Sequence, residues 1–326
     1  MDFNLTRSQV AWRSRAEALA AQLAIDASAG DVIAGAARHG LLDGRVDLLS
    51  LTAAAEAIAY GSPSAALSYA LHAVVLSAVR DDRVWTERLV RGDVIGALAL
   101  SAEEVPVDAG GRLTGGASWV APVTTGGVVV LGARSGDEVS AYMVRLGADG
   151  VTAEPERAAG LRGLACARLA LQDAPAHRIG ATVPIMVRVR VLMAGVGLGI
   201  GRRAFAEALH AARAAGGGAA GKQTVQGLLA DAATELDAAR LLTWAAAADA
   251  DLSLGNASAA KLIATGAAQH AVEYATQIVG VETFRQGHVV ERLSQDVRAL
   301  ELFAGRTEAL RAAVATETLP SGPGTG

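Results

Sequence analysis

Residues 277–311 read QIVGVETFRQGHVVERLSQDVRALELFAGRTEALR, and the second half of this stretch decides the fold. Val290, Leu293, Val297 and Leu300 recur at spacings of three and four, which puts them on one face of a helix. Glu291, Arg292, Asp296 and Arg298 fall on the rest, and Arg292 with Asp296 is spaced as an i,i+4 ion pair. Gly305 is placed to end that helix, and Thr307 to cap a following one whose Leu310 and Val314 lie a turn apart. Periodicity alone therefore gives a helix–turn–helix that packs in a bundle.

Composition agrees. The 326 residues are 52% hydrophobic with only 4% aromatics, which favours closely packed helices over a strand-rich sandwich. The net charge of −4 and the lack of a basic tract argue against a nucleic-acid surface. Cys166 is the single cysteine, so neither an internal disulfide nor a cysteine metal cluster is possible, and no metal site is expected. The start, MDFNLTRSQ, carries no apolar signal core. The longest apolar run, 191–201, is flanked by Arg190 and Arg202 and is too short to span a bilayer. A cytoplasmic protein is expected.

From the start, Thr6-x-x-Gln9 reads as a capping box opening a first helix. Further helices are expected from Asp31 to Gly40, from Leu48 to Tyr60, and after Ser62 with Pro63 at the first position. The last of these, SPSAALSYALHAVVLSAV, is apolar nearly all round and should be buried, with His72 a satisfied core residue. This gives an N-terminal helical domain over 1–92. Over 93–180 the pattern changes to β-branched runs punctuated by glycine: VIGALAL, RLTGGASWV, GVVVLGA, EVSAYMVRL and RLALQD. Five to seven short strands make a small β-barrel-like middle domain. From 181 to 318 the chain is again helical, a bundle of four to five helices, with a turn at AAGGGAAG (214–221) and a disordered tail over 319–326. The glycines at 195, 197, 199 and 201 do not fit G-x-G-x-x-G, since Ile200 takes the last glycine position and no strand is expected before them. They read as small residues that let helices approach.

The opening stretch also resembles, without a gap, the C-terminal signature of the acyl-CoA dehydrogenases: a Q-x-x-G-G-x-G turn, a V-E-R-x-x-R-D-x-R helix and a Y-E-G-T turn. Gln277 and Gly280 match the first piece, and Val290, Glu291, Arg292, Asp296 and Arg298 the second, with Gln295 at the internal Arg. Phe303, Ala304 and Gly305 stand at Tyr, Glu and Gly of the third. LHAVV near His72, GLRG at 160–163 and LGIGRRAF at 198–205 are similar to other family segments. The resemblance implies FAD, an acyl thioester substrate and α,β-desaturation, in which a carboxylate takes a proton while the flavin accepts a hydride. It places the base at position 304 or, in some members, just before Arg190. Here these are Ala304 and Val189, and neither ionises.

The same resemblance gives the cofactor positions. Trp119 in GGASWVAP matches the tryptophan of a strand lying against the flavin, although it also reads as a core aromatic. Ser101 is the nearest match to a shortened flavin loop, and Arg213 falls at the arginine that reaches the partner subunit's FAD. Gln277 and Gly280 match the ADP-side turn, where Val281 and Thr283 replace glycines and Glu282 adds negative charge. Thr307 completes the cofactor set. Arg190 is implied near the substrate, against a reading of Arg190, Arg292 and Arg298 as surface ion-pair partners. The expectation is a family subunit with a weakened or shared FAD site that needs a partner's catalytic base, in a homo- or hetero-oligomer with a paralogue. The alternatives are a stand-alone flavin oxidase or oxygenase, or a non-enzymatic scaffold on the same fold.

Overall fold

The computed structural model describes residues 4–99, 105–214 and 221–319. Five helices come first: α1 (Arg7–Ala20), α2 (Ala29–Arg38), α3 (Leu48–Gly61), α4 (Pro63–Ala78) and α5 (Arg83–Arg91). Seven strands follow: β1 (Gly96–Ala99), β2 (Val105–Pro106), β3 (Arg112–Ala121), β4 (Val128–Ser135), β5 (Glu138–Arg145), β6 (Val151–Glu156) and β7 (Cys166–Ala181). The chain then returns to helix with α6 (Thr182–Ala214), α7 (Gln223–Ala248), α8 (Leu254–Val279), a 3-10 turn (Gly280–Phe284), α9 (Val289–Leu302) and α10 (Thr307–Thr318). The architecture is the expected one, mainly α with a small β domain in the middle.

Local chemistry explains most boundaries. Thr6 and Gln9 form the reciprocal capping box of α1. Ser62 accepts from the Ala65 amide at the start of α4, with Pro63 at the first position. Helix α4 is buried on all sides, and His72 within it is fully satisfied. Its Nε2–H donates to Leu89 O (3.1 Å), while Nδ1 accepts from the Gly96 amide (3.0 Å). One imidazole thus ties α4 to α5 and β1.

The strands close on themselves. β1 pairs with both β3 and β4, and the path β1–β3–β7–β5–β4 returns to β1, a five-stranded barrel with β2 on β4 and β6 on β7. Ala97, Leu113, Val129, Leu131, Val144 and Leu169 fill it. β7 runs 16 residues, far beyond RLALQD. Asp173 at φ +51 breaks the ladder locally, so the strand continues past Pro175, which polar punctuation hides in the sequence. β6 has its four middle residues all exposed and so lacks the alternation that marks a strand.

Helix α6 is the axis of the molecule. It is long and apolar enough to cross a membrane by length and composition, and 72% of its most apolar window is buried inside the protein. Contrary to expectation, a strand does precede it, since β7 leads directly into α6. The glycines nevertheless lie several turns inside the helix, where they serve packing. A Cβ on Gly199 would sit 2.5 Å from Glu56 O and the Ala59 Cβ, and one on Gly201 would sit 2.5 Å from Leu236 Cδ2. α3 carries Glu56, only 2% exposed, which accepts from Arg202 of α6 (2.9 Å) and Arg240 of α7 (2.7 Å).

Two details of the deciding stretch differ from the reading. Arg306, not Thr307, precedes α10, and its side chain makes no cap. The Thr307 hydroxyl instead donates to Glu301 Oε1 (3.0 Å), because the residue is already helical. Arg292 pairs with Asp26 rather than Asp296, whose Oδ1 accepts from the Leu161 amide (2.5 Å). A tertiary backbone donor outcompetes the helical neighbour. Most of the turn at 214–221 and the tail after Leu319 lie outside the described residues.

Candidate functional site

The barrel and the C-terminal helices face one another across a cleft of about 1010 Å³. Trp119, Arg157, Gly160, Arg298, Phe303 and Arg306 are among its walls. Trp119 reaches it through a register shift in β3 between Ala117 and Val120, with Trp119 itself at φ +54. Such a bulge redirects a side chain that regular pleating would point elsewhere. Glu156 Oε2 accepts from the Trp119 amide (3.0 Å), and the ring meets Phe303 at 6.2 Å between centroids, tilted by 53°. Trp119 is 38% exposed, so it is a wall of the cleft rather than a core aromatic.

On the opposite side α9 ends at Leu302, and the chain turns through Phe303, Ala304 (φ +54) and Gly305 (φ +111). Arg190 lies beneath this turn, 8% exposed, donating from Nε to Ala304 O (3.3 Å) and from Nη1 to Ser258 Oγ (2.5 Å). It is therefore no surface ion-pair partner, and burial lowers its pKa. Arg292 is one, with Asp26. Arg298 is exposed in the cleft, as are Arg157 and Arg306, and none of the three has a side-chain partner among the described residues.

Among the described residues no carboxylate lines this cleft. Ala304 is 2% and Val189 3% exposed, both packed in the hydrophobic core. Glu301 is occupied, accepting from Gln269 Nε2 (2.7 Å) and Thr307. Glu308 is exposed on the first turn of α10 and is absent from the cleft walls.

The other sequence candidates are not gathered here. Gln277 is exposed near the end of α8, and Gly280 (φ +79, ψ −145) is its C-cap, a backbone conformation that needs glycine. Glu282 is paired with Arg285 (3.0 Å), which offsets the unfavourable charge expected there. Val281 and Phe284 stand 79% exposed on the same turn. Arg213 is exposed on the last turn of α6. None of these lines the cleft, nor does Thr307. Ser101 lies outside the described residues. Sequence reading missed Arg157 and Arg306, whose loops carry no periodic signal, and Lys261, a lone cation in the small-residue run NASAAKLIATG.

A smaller cleft of about 490 Å³ opens beside the first, sharing Arg157 and bordered by Cys166. Burial, then the charge of Glu156, pushes the Cys166 thiol up to about 11, so thiolate chemistry is disfavoured there. Among the described residues no group of three His, Cys, Asp or Glu could hold a metal.

Residues 183–319 match the family model for the acyl-CoA dehydrogenase C-terminal domain. The short-chain specific acyl-CoA dehydrogenase of Bos taurus mitochondria is 30% identical over 271 residues, covering 73% of this chain and 66% of that protein. The chain belongs to the acyl-CoA dehydrogenase family. Among solved structures, butyryl-CoA dehydrogenase from Megasphaera elsdenii superposes with a TM-score of 0.87 at 18% identity, covering 98% of this chain and 100% of that one. A glutaryl-coenzyme A dehydrogenase in complex with glutaryl-CoA reaches 0.90 at 16% identity, covering 98% and 96%. The chain spans 66% of the length of the first curated relatives it matches. The cleft lies between the barrel side of the fold and the segment that this family model matches.

Proposed function

We propose that the chain is an acyl-CoA dehydrogenase-type flavoprotein subunit that takes part in α,β-desaturation of an acyl thioester but relies on another chain for the catalytic carboxylate. The observation that carries this reading is Ala304 at the turn where the family signature places an acid, with no acid among the described residues that wall the cleft.

The residues present fit a flavin. The cleft is at the upper end of the range for ligand sites. It offers an aromatic wall, Trp119 against Phe303, for a flat ring system. Arg157, Arg298 and Arg306 supply unpaired positive charge to a polyanionic cofactor or thioester. Bound FAD would supply the hydride acceptor. This chain's residues would seat the ring, exclude water with Leu302 and Phe303, and orient the thioester. Among the described residues that wall the cleft, none would take the α-proton. Gln277, Gly280 and Arg213 sit on exposed ends of α8 and α6, which suits contact with a neighbouring subunit's cofactor rather than this cleft.

The test is an absorption spectrum across the flavin bands, with and without a co-expressed paralogue that carries the acid, together with acyl-CoA desaturation by each preparation. The proposal expects flavin absorbance in the pair and turnover only there. Full turnover by the lone chain overturns it. A colourless protein that takes up no flavin in either preparation points instead to a scaffold role.

A further inference from the structure

The turn after α9 is anchored from behind by two buried cations. Lys261 on α8 is completely buried. Its ammonium donates to the carbonyl oxygens of Phe303, of Gly305 (2.7 Å) and of Glu301 (3.3 Å). Arg190 on α6 takes the carbonyl between them, that of Ala304. Neither cation has an ion-pair partner among the described residues, since the Glu301 carboxylate is engaged by Gln269 and Thr307. Burying an ammonium and a guanidinium side by side without an anion is costly. A helix end needs no such device, because a glycine cap satisfies the last carbonyls with backbone donors alone.

The arrangement makes sense from the other side of the turn. In a trans peptide the C=O and N–H point in opposite directions. Anchoring the carbonyls of Phe303, Ala304 and Gly305 toward the bundle therefore turns the amides of Ala304, Gly305 and Arg306 away from it. That is the side on which Phe303, Gly305 and Arg306 line the cleft. The anchor also keeps Ala304 in a left-handed conformation that a residue with a Cβ leaves when free to do so. A positive charge on each carbonyl strengthens the N–H of the same peptide as a donor.

We propose that Lys261, backed by Arg190, is a positioning residue that locks the turn 303–305, so that the Phe303 ring and the amides of residues 304–306 are presented to the ligand in the cleft. The identity of that ligand as FAD with an acyl thioester rests on the function proposed above; the locking does not.

The experiment compares Lys261→Met, which keeps the length and removes the charge, with Lys261→Arg, which keeps a charge. The first readout is the 19F spectrum of protein labelled with fluorophenylalanine, with the Phe303 line assigned by Phe303→Leu. One sharp line is expected for the unmutated protein, a broadened or split line for Lys261→Met, and a sharp line again for Lys261→Arg. The second readout is FAD affinity by fluorescence quenching. Lys261→Met should bind roughly tenfold more weakly, the effect of one charge-assisted hydrogen bond, with Lys261→Arg restoring most of it. An arm without substitution raises the pH from 6 to 9. Burial, then Arg190, hold Lys261 down to about 7 against the opposing charge of Glu301, so the Phe303 line should broaden in the unmutated protein and stay sharp in Lys261→Arg. An unchanged Phe303 line in both Lys261→Met and the high-pH sample overturns the proposal. If Lys261→Met does not fold, the pH arm decides. If the unmutated protein takes up no FAD, the flavoprotein reading fails while the 19F readout still judges the lock.

Discussion

Under the function proposed above, position 304 is where this chain has alanine in place of a catalytic carboxylate. Its backbone is held at φ +54 by contacts that do not depend on its side chain, since Arg190 binds its carbonyl and Lys261 binds those on either side. A side chain installed there inherits a fixed starting direction. Ala304→Glu should therefore supply the proton acceptor, and general-base catalysis of this kind is worth about 10² to 10⁴ in rate. The expected outcome is acyl-CoA-dependent reduction of an artificial electron acceptor by the lone variant, at least about a hundredfold above the unmutated chain. Flavin content should be the same in both. If flavin is retained and no turnover appears, position 304 does not aim at the substrate and the missing-acid explanation fails. The alanine could be read from sequence alone; that its backbone is still clamped could not, because the clamp comes from helices 43 and 114 residues away.

Among the elements, α6 shows how much was legible. Its small residues told the correct packing story, and Gly199 is the tightest case, with a Cβ meeting both the backbone and Ala59 of α3 at 2.5 Å. Backbone on a packed helix cannot step aside cheaply. Gly199→Ala should destabilise by about 2 kcal/mol or more despite the better helix propensity of alanine, read as a lower urea midpoint with an unchanged m-value. Gly227, which has open space around it on α7, is the control, and alanine there should stabilise slightly. A neutral outcome at Gly199 would mean that α3 and α6 are not in register as described. Helices were readable because each carries its own period and caps: Thr6, Ser62 and the face from Val290 to Leu300 needed no tertiary knowledge. β6 and the second half of β7 were not, because their pairing partners rather than their own alternation define them. The cleft was half legible for the same reason. Trp119 and the alanine at 304 are marked by local strings, whereas Arg157, Arg306 and Lys261 acquire meaning only when barrel and bundle meet. The Thr307 cap failed by one residue, a shift that the 303–305 turn imposes from outside the local pattern.

For the whole molecule, two buried titrating groups, His72 on α4 and Asp296 on α9, oppose one another in acid. Burial holds His72 at about 4, despite its bond to Leu89, so below pH 6.5 the unfolded chain takes up a proton that the folded chain refuses until pH falls to about 4. Stability from His72 is present above that window and declines as pH drops through it. Asp296 runs the other way. Burial raises it to about 6, against the Leu161 amide and the charges of Arg292 and Arg162, so the folded chain takes up a proton that the unfolded one refuses until about 3.8. Its contribution grows as pH falls and is lost as pH rises through 6. Each shift amounts to roughly 3 kcal/mol, and the windows nearly coincide, so the two largely cancel between pH 4 and 6. Asp296→Asn separates them, since the amide oxygen can still accept from Leu161 but never ionises. The variant should be more stable than the unmutated chain by about 2 to 3 kcal/mol at pH 7 and by almost nothing at pH 4. Its urea midpoint should then fall more steeply on acidification, because His72 acts unopposed. An equal gain at both pH values would show that Asp296 is charged throughout, and that the link from α9 to the loop at 160–163 is an ordinary carboxylate bond rather than a buried acid.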